Sequence, residues 1–186
     1  PGFPAHVLES WFREIGVEHR IVRQDVYPVI QQLTPIGKTM CSACSRLRRG
    51  ILYTTAVELG CTKIALGHHR EDLVETLLLS AFFAGALKSM PPKLLSDDGR
   101  NTVIRPLAYC PEAELAEYAQ RLRLPVIPCG ACAEQESSQR RHVKHLISEL
   151  AREHPSVPGN LLNALANVTP SHLLDRSLRR AKPTPE

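Results

Sequence analysis

The chain has 186 residues, 43% of them hydrophobic, and its 23 basic against 19 acidic side chains leave a net charge of +4. That supports one domain with a full core, is too mild a charge to establish nucleic-acid binding by itself, and includes no run near the roughly 20 apolar residues of a membrane span. The opening PGFPAHVLES lacks the basic start and apolar stretch of an export signal, so the six cysteines are expected in a reducing, cytoplasmic setting, where paired cysteines mean metal or redox chemistry.

Residues 4–15 place Val7, Leu8, Trp11, Phe12 and Ile15 at helical spacing, and Gly16 closes that helix. A short strand is expected over residues 18–22. Residues 24–40, with Pro28, Pro35 and Gly37, read as an irregular connection. A helix over residues 45–59 follows, with Gly60 at its C-terminal cap. The apolar run TKIAL at 62–66 fits a strand buried on both faces of a parallel sheet.

Residues 71–84 return to helix, with Leu73, Leu77, Leu78, Ala81 and Phe82 on one stripe, and residues 86–101 read as a loop punctuated by Pro91, Pro92 and Asp98-Gly99. A strand over 102–107 leads to a helix from Pro111 to about residue 123, with Glu112 and Glu114 where the helix dipole favours carboxylates. An extended segment at 124–128 delivers Cys129 and Cys132; helices are expected over 137–153 and 160–167, and a disordered tail from 176 to 186. The fold class expected is α/β, a Rossmann-like parallel sheet flanked by helices. One domain would cover residues 1–154, with a short helical segment at 155–175. The chain opens on Pro-Gly-Phe-Pro without methionine, and we expect it to be a fragment lacking the first strands.

Two C-x-x-C units, Cys41-Ser-Ala-Cys44 and Cys129-Gly-Ala-Cys132, each stand before a helix in a small-residue loop. Such spacing lets two thiolates face one metal, and helix N-termini and arginines favour the thiolate form. Spacing alone leaves two options: four cysteines closing a structural zinc site, or three holding a [4Fe-4S] cluster with one iron open. The separation of more than 80 residues between the pairs weakens a compact zinc ribbon. Cys61 and Cys110 read as buried small side chains. Arg46, Arg48 and Arg49 follow the first pair, and Arg140, Arg141, His142, Lys144 and His145 follow the second. Basic clusters so placed favour a phosphate-rich partner over merely solvated helix faces.

After the strand comes Gly67-His68-His69-Arg70-Glu71-Asp72. Glycine lets a ligand approach the backbone. Asp72, near a helix N-terminus, can hold a magnesium ion or take a proton, or simply cap the helix; His68 is a site residue or a packed polar one.

In order along the chain, Cys41-Ser-Ala-Cys-Ser-Arg-Leu-Arg-Arg-Gly-Ile-Leu-Tyr, Ala65-Leu-Gly-His-His-Arg-Glu-Asp, Met90-Pro-Pro-Lys-Leu, Ile104-Arg-Pro-Leu-Ala-Tyr-Cys, Ile127-Pro-Cys and Pro170-Ser-His-Leu resemble the TtcA-type tRNA 2-thiocytidine synthetases. These belong to the PP-loop ATPase class. The resemblance runs from about residue 1 to residue 175. It implies adenylation of the C2 oxygen of cytidine 32 in tRNA by ATP, and replacement of that oxygen by sulfur carried on a [4Fe-4S] cluster. Cys41, Cys44 and Cys132 would be ligands and Cys129 would not; Gly67 and His68 would contact ATP. Asp72 would orient Mg2+ or handle a proton, and Arg48, one turn beyond Cys44, would stabilise phosphate or the developing oxyanion. The implied partners are the anticodon arm of tRNA, a sulfur donor such as a cysteine desulfurase, and a second copy in a homodimer, with no membrane.

Two departures stand out. The PP-loop itself, Ser-Gly-Gly-Lys-Asp-Ser, is nowhere in the 186 residues, so this chain alone is not expected to adenylate RNA. Glu71 stands where the family commonly has a second aspartate. Two alternatives stay open: thiolation of a tRNA uridine by a sister PP-loop group, and a zinc-stabilised RNA-binding module without catalysis.

Overall fold

Ile64 and Val103 mark the centres of two short strands whose backbones pair, and the sheet grows from them. In the computed structural model, residues 5–35, 40–126 and 139–174 are described, apart from the side chains of Cys41 and Ser42. Strand β1 (Lys63–Ala65) runs parallel to β3 (Thr102–Ile104), and β2 (Lys93–Leu95) lies antiparallel on the other side of β3, in the order β1-β3-β2. Helices flank this small mixed sheet, an α/β arrangement.

The antiparallel β2 corrects the expected loop over 86–101 and the wholly parallel sheet. Asp98-Gly99 is a hairpin turn rather than mere punctuation: Gly99 takes a φ of 72°, a left-handed conformation that suits glycine. Ser96 and Asn101 close the loop with backbone bonds, and the buried Asn101 donates from Nδ2 to the Cys61 carbonyl at 2.8 Å, tying the hairpin to the start of β1. In β1 only Ile64 is buried while Lys63 and Ala65 are exposed, so the expected burial on both faces is not met among the described residues.

Helix α1 (Ala5–Glu14) stops where Gly16 adopts a φ of 68°. Residues 18–22 form no strand: no described strand lies beside them, and a strand without a ladder leaves its amide groups unpaired. The expected irregular stretch contains α2 (Tyr27–Leu33), in which Pro28 sits in the first turn, where its missing N–H costs nothing. Helix α3 (Cys41–Glu58) begins four residues earlier than spacing suggests and packs on α2 and β1.

Helix α4 (Arg70–Ala84) is the hub, packing against α6 (Gln139–Glu153) and α7 (Val157–Ala166), which also pack on each other. Val74, fully buried, meets Val143 and Ile147 of α6, and Leu78, Leu79, Leu161 and Leu162 close around them. The expected stripe is therefore corrected: Leu73, Val74, Leu77 and Ser80 face inward while Phe82 and Phe83 are exposed. Burying Val74 and Ile147 together contributes on the order of 4 kcal/mol, taking about 2 kcal/mol for each apolar side chain. Helix α5 (Glu112–Arg121) follows Pro111, which is its N-cap rather than part of its first turn.

Candidate functional site

In a parallel pair the C-terminal strand ends open on one edge, which is where α/β sheets hold ligands. Here those ends are Gly67-His68 after β1 and Arg105 after β3. They are held side by side by the Leu66 N–H donating to the Ile104 carbonyl at 2.9 Å. A side chain at Gly67 would meet no atom within 4 Å, so the space above its backbone is open. The chain then turns directly into α4, whose N-cap is His69.

The Asp72 carboxylate caps that helix, as one of the sequence alternatives holds: its Oδ2 accepts the His69 N–H at 3.1 Å. Its Oδ1 faces Arg140 Nη1 at 3.4 Å. The same nitrogen of Arg140 donates to Glu75 Oε2 at 2.8 Å, and Glu75 is only 4% exposed. Burial pushes the Glu75 carboxyl upward, against the charge and hydrogen bond of Arg140. Next to this pair, Lys144 Nζ donates to Glu112 Oε1 at 2.6 Å. Burial works against the Lys144 ammonium, but the Glu112 hydrogen bond and the Glu112, Glu75 and Asp72 charges hold it above its ordinary value. Glu71 accepts from Arg70 and from the Glu112 N–H at 2.8 Å; burial raises its carboxyl, and these bonds outweigh that and lower it. The acidic residue in place of the commoner aspartate thus ties α4 to α5.

On the other side of Asp72 the balance reverses. Burial lowers the His68 imidazole; Asp72 opposes this, while Arg105, Arg140 and His69 add to it. His68 Nδ1 is buried with no hydrogen-bond partner, and so is Arg105 Nε.

Gly67, His68 and Asp72 lie at the same end of the sheet, with the Asp72 charge acting on His68. Arg48 lies exposed on α3 and makes no hydrogen bond or ion pair with that group, although α3 borders it through Arg49 and Tyr53, which face Arg105. Cys41 and Cys44 form the first turn of α3 instead of a loop before it. Cys44 is a half-buried free thiol in the first turn of α3. Among the described residues no group of three or more His, Cys, Asp or Glu side chains converges on a metal position. Cys129, Cys132 and the tail from 176 lie outside the described residues, as does the side chain of Cys41. Cys61 is exposed and Cys110 half-buried, so neither is the buried residue expected. Glu75 and Arg105 were not singled out in the sequence. The expected strand over 102–107 placed Arg105 in mid-strand; β3 ends at Ile104, which is what puts Arg105 at the strand edge.

No helix among the described residues is long and apolar enough to cross a membrane. An apolar cleft of about 610 Å3 between α4, Met90–Pro92 and the end of α7 is lined mostly by leucines, prolines and alanines, with Lys88, Tyr109 and Asn163 among its residues and no carboxylate.

An α/β sheet whose strand edge ends in a glycine and runs into a carboxylate-capped helix is the arrangement of the Rossmann-like class of α/β proteins. Within that class the chain belongs to the PP-loop family, whose domain matches residues 5–151. It is 61% identical over 97% of its length to the tRNA-cytidine(32) 2-sulfurtransferase of Anaeromyxobacter dehalogenans, covering 62% of that protein. To the protein of the same name from Pseudomonas putida it is 56% identical over 96% of its length, covering 65%. The chain thus spans just over three-fifths of the relatives' length. A solved structure, the U34-tRNA thiolase NcsA from Methanococcus maripaludis with its [4Fe-4S] cluster, matches the fold with a TM-score of 0.66 at 22% identity, over 96% of this chain and 57% of that one.

Proposed function

We propose that the full protein is an ATP-dependent tRNA sulfurtransferase that forms 2-thiocytidine at position 32, and that this chain carries its sulfur-handling part. The observation that supports this most is the 61% identity to a tRNA-cytidine(32) 2-sulfurtransferase over 180 residues, a span too long to omit the Gly67-His68 loop and both cysteine pairs.

Cys41, Cys44 and Cys132 would hold a [4Fe-4S] cluster, and a three-thiolate set supplies an iron free to bind the sulfur that is transferred. The first-turn position of Cys41 and Cys44 fits: they sit three residues apart at the start of an 18-residue helix, the spacing of a C-x-x-C ligand pair. Gly67 leaves the nucleotide room to lie against the backbone, and His68 supplies a ring nitrogen at that edge. Since Asp72 Oδ2 serves the helix cap, Oδ1 is the oxygen available to a magnesium ion or a proton, with Arg140 as the group that moves aside. Arg48, exposed one turn past Cys44, is free to meet tRNA phosphate, as are its neighbours Arg46 and Arg49. A cysteine desulfurase as sulfur source, a homodimeric state and a cytoplasmic location complete the reading.

Anaerobic purification of the full-length protein followed by iron and sulfide analysis tests it. About four irons per chain are expected from the cluster type. A colourless protein with one zinc would sink the proposal. In cells, Cys132→Ala should abolish 2-thiocytidine while Cys129→Ala is milder, measured by nucleoside analysis of tRNA. Equal loss from both would make all four cysteines ligands, and 2-thiouridine as the missing nucleoside would move the enzyme to its sister group.

A further inference from the structure

Just past the end of β3, Arg105 is fixed at its backbone and at one end of its guanidinium, and is unanswered at Nε. Its backbone N–H donates to the Pro92 carbonyl at 2.8 Å and its Nη1 to the Pro91 carbonyl at 2.5 Å, so the residue is held to the Pro91-Pro92 segment through both backbone and side chain. Its Nε–H is buried and has no partner. The charged groups around it make this worse. Burial lowers the guanidinium, Arg49 adds to that, and Tyr53 opposes it; on its other flank stands His68, itself with a buried ring nitrogen unpaired. Among the described residues no carboxylate pairs with Arg105.

A half-buried guanidinium whose Nε–H is enclosed without a partner and whose charged neighbours are cationic is costly unless something anionic completes it. A structural arginine would be paired. Fork-shaped donors at a strand edge suit the tetrahedral oxygens of a phosphate. The opening beside it is the one above Gly67, reached from the adjacent parallel strand.

We propose that Arg105 is a phosphate-binding residue of the nucleotide site, clasping a phosphate of the adenine nucleotide from the C-terminal end of β3 while His68 approaches from β1. This rests on the reading of the protein as an ATP-using enzyme. It adds a residue outside the glycine loop and gives the Ile104-Arg-Pro-Leu motif a chemical task.

The test uses full-length, cluster-loaded protein and compares AMP with adenosine, which share the base and sugar and differ by the phosphate. Wild-type protein should bind AMP more tightly than adenosine. In Arg105→Met that preference should fall about tenfold or more, the loss expected for one charge-assisted hydrogen bond. Adenosine affinity and the iron absorbance should stay unchanged. Arg105→Lys should recover part of the preference. Because Arg105→Met removes a half-buried charge that no described carboxylate answers together with one bond to the Pro91 carbonyl, its melting temperature should change little. An AMP-to-adenosine ratio that survives Arg105→Met overturns the proposal, and a lowered melting temperature with that ratio intact assigns Arg105 a structural role instead. Wild-type protein that binds neither ATP nor AMP defeats the functional reading itself, which is a different result from an unaffected variant.

Discussion

Two charged clusters lie on either side of the first turn of α4, with Asp72 between them. On the α6 side, Arg140 meets Asp72 and the buried Glu75, and Lys144 meets Glu112, so each cation there has an acid. On the strand-edge side, His68 and Arg105 are half-buried with polar atoms unpaired, and Arg49 adds a further positive charge. Burial is comparable on the two sides, and what differs is compensation. The compensated cluster fastens three helices, while the uncompensated one is complete only with an anion present. The contrast explains how one short loop serves both stability and binding: α4 is clamped from behind so that its N-terminal approach can carry unsatisfied groups.

The largest expected effect comes from breaking the compensated side. Arg140→Met should destabilise the protein by about 2–3 kcal/mol in urea unfolding, because it leaves Glu75 buried without its main partner. That is below the full cost of breaking a buried pair, since the Arg140 side chain is 46% exposed and Lys144 still acts on Glu75. The pH dependence follows from the direction of the shift. A carboxyl raised in the folded state contributes stability below its unfolded value of 4.5, and that contribution is lost as pH rises through the folded value. Removing Arg140 raises that value further, so the gap between variant and parent should be wider at pH 8 than at pH 5.5. A gap independent of pH would mean that Glu75 is not the group left stranded.

Much of this arrangement was legible beforehand, and the remainder fails for identifiable reasons. The periodicity at 71–84 and the glycine after the run TKIAL located α4, β1 and the opening at Gly67, because helix spacing and glycine turns are local signals. Arg140 was visible only as one of several basic residues after the second cysteine pair. Its pairing with Glu75 joins positions 65 apart in sequence, which no local pattern encodes. Strand β2 was missed although Asp98-Gly99 is a hairpin signal, because Pro91 and Pro92 just before it argued for a loop. The strand expected at 18–22 had the right composition but no described neighbour, and strands are made by pairing more than by composition. Arg105 stands inside the Ile104-Arg-Pro-Leu motif with no role that local pattern can assign, since an unpaired donor becomes visible only when its surroundings are.

A middle-sized effect separates the two roles of Asp72. Asp72→Ala removes the acceptor of the His69 N–H and should cost about 1 kcal/mol of stability. Asp72→Asn keeps an acceptor for that N–H and should cost only a few tenths, on the scale of one dipole interaction at a helix end. If Asp72 were only a cap, 2-thiocytidine formation in cells would survive Asp72→Asn. If its charge serves magnesium or a proton, thiolation should collapse in both variants while urea unfolding distinguishes them.

The smallest effect supplies the control for burial. Asp98 accepts more hydrogen bonds than Glu75, which accepts one from Arg140: the Ser96 hydroxyl at 2.6 Å, the Arg100 N–H at 3.1 Å and the Arg100 Nε at 2.8 Å donate to it, and Asp98 itself is exposed at the hairpin turn. The Ser96 hydrogen bond first, then those from Arg100, lower its carboxyl to about 2 from 3.8. A carboxyl lowered in the folded state contributes stability above its unfolded value, here 3.8, and that contribution is lost as pH falls through about 2. Asp98→Asn should therefore be slightly less stable than the parent at pH 6, with the difference vanishing as pH approaches 2, read from thermal unfolding across that range. Water already solvates these groups, so the effect should stay well below that of Arg140→Met. An equal loss from both variants would mean that pairing alone, rather than pairing in a buried place, gives the α6 side its weight, and the contrast between the two sides of α4 would then rest on geometry instead of burial.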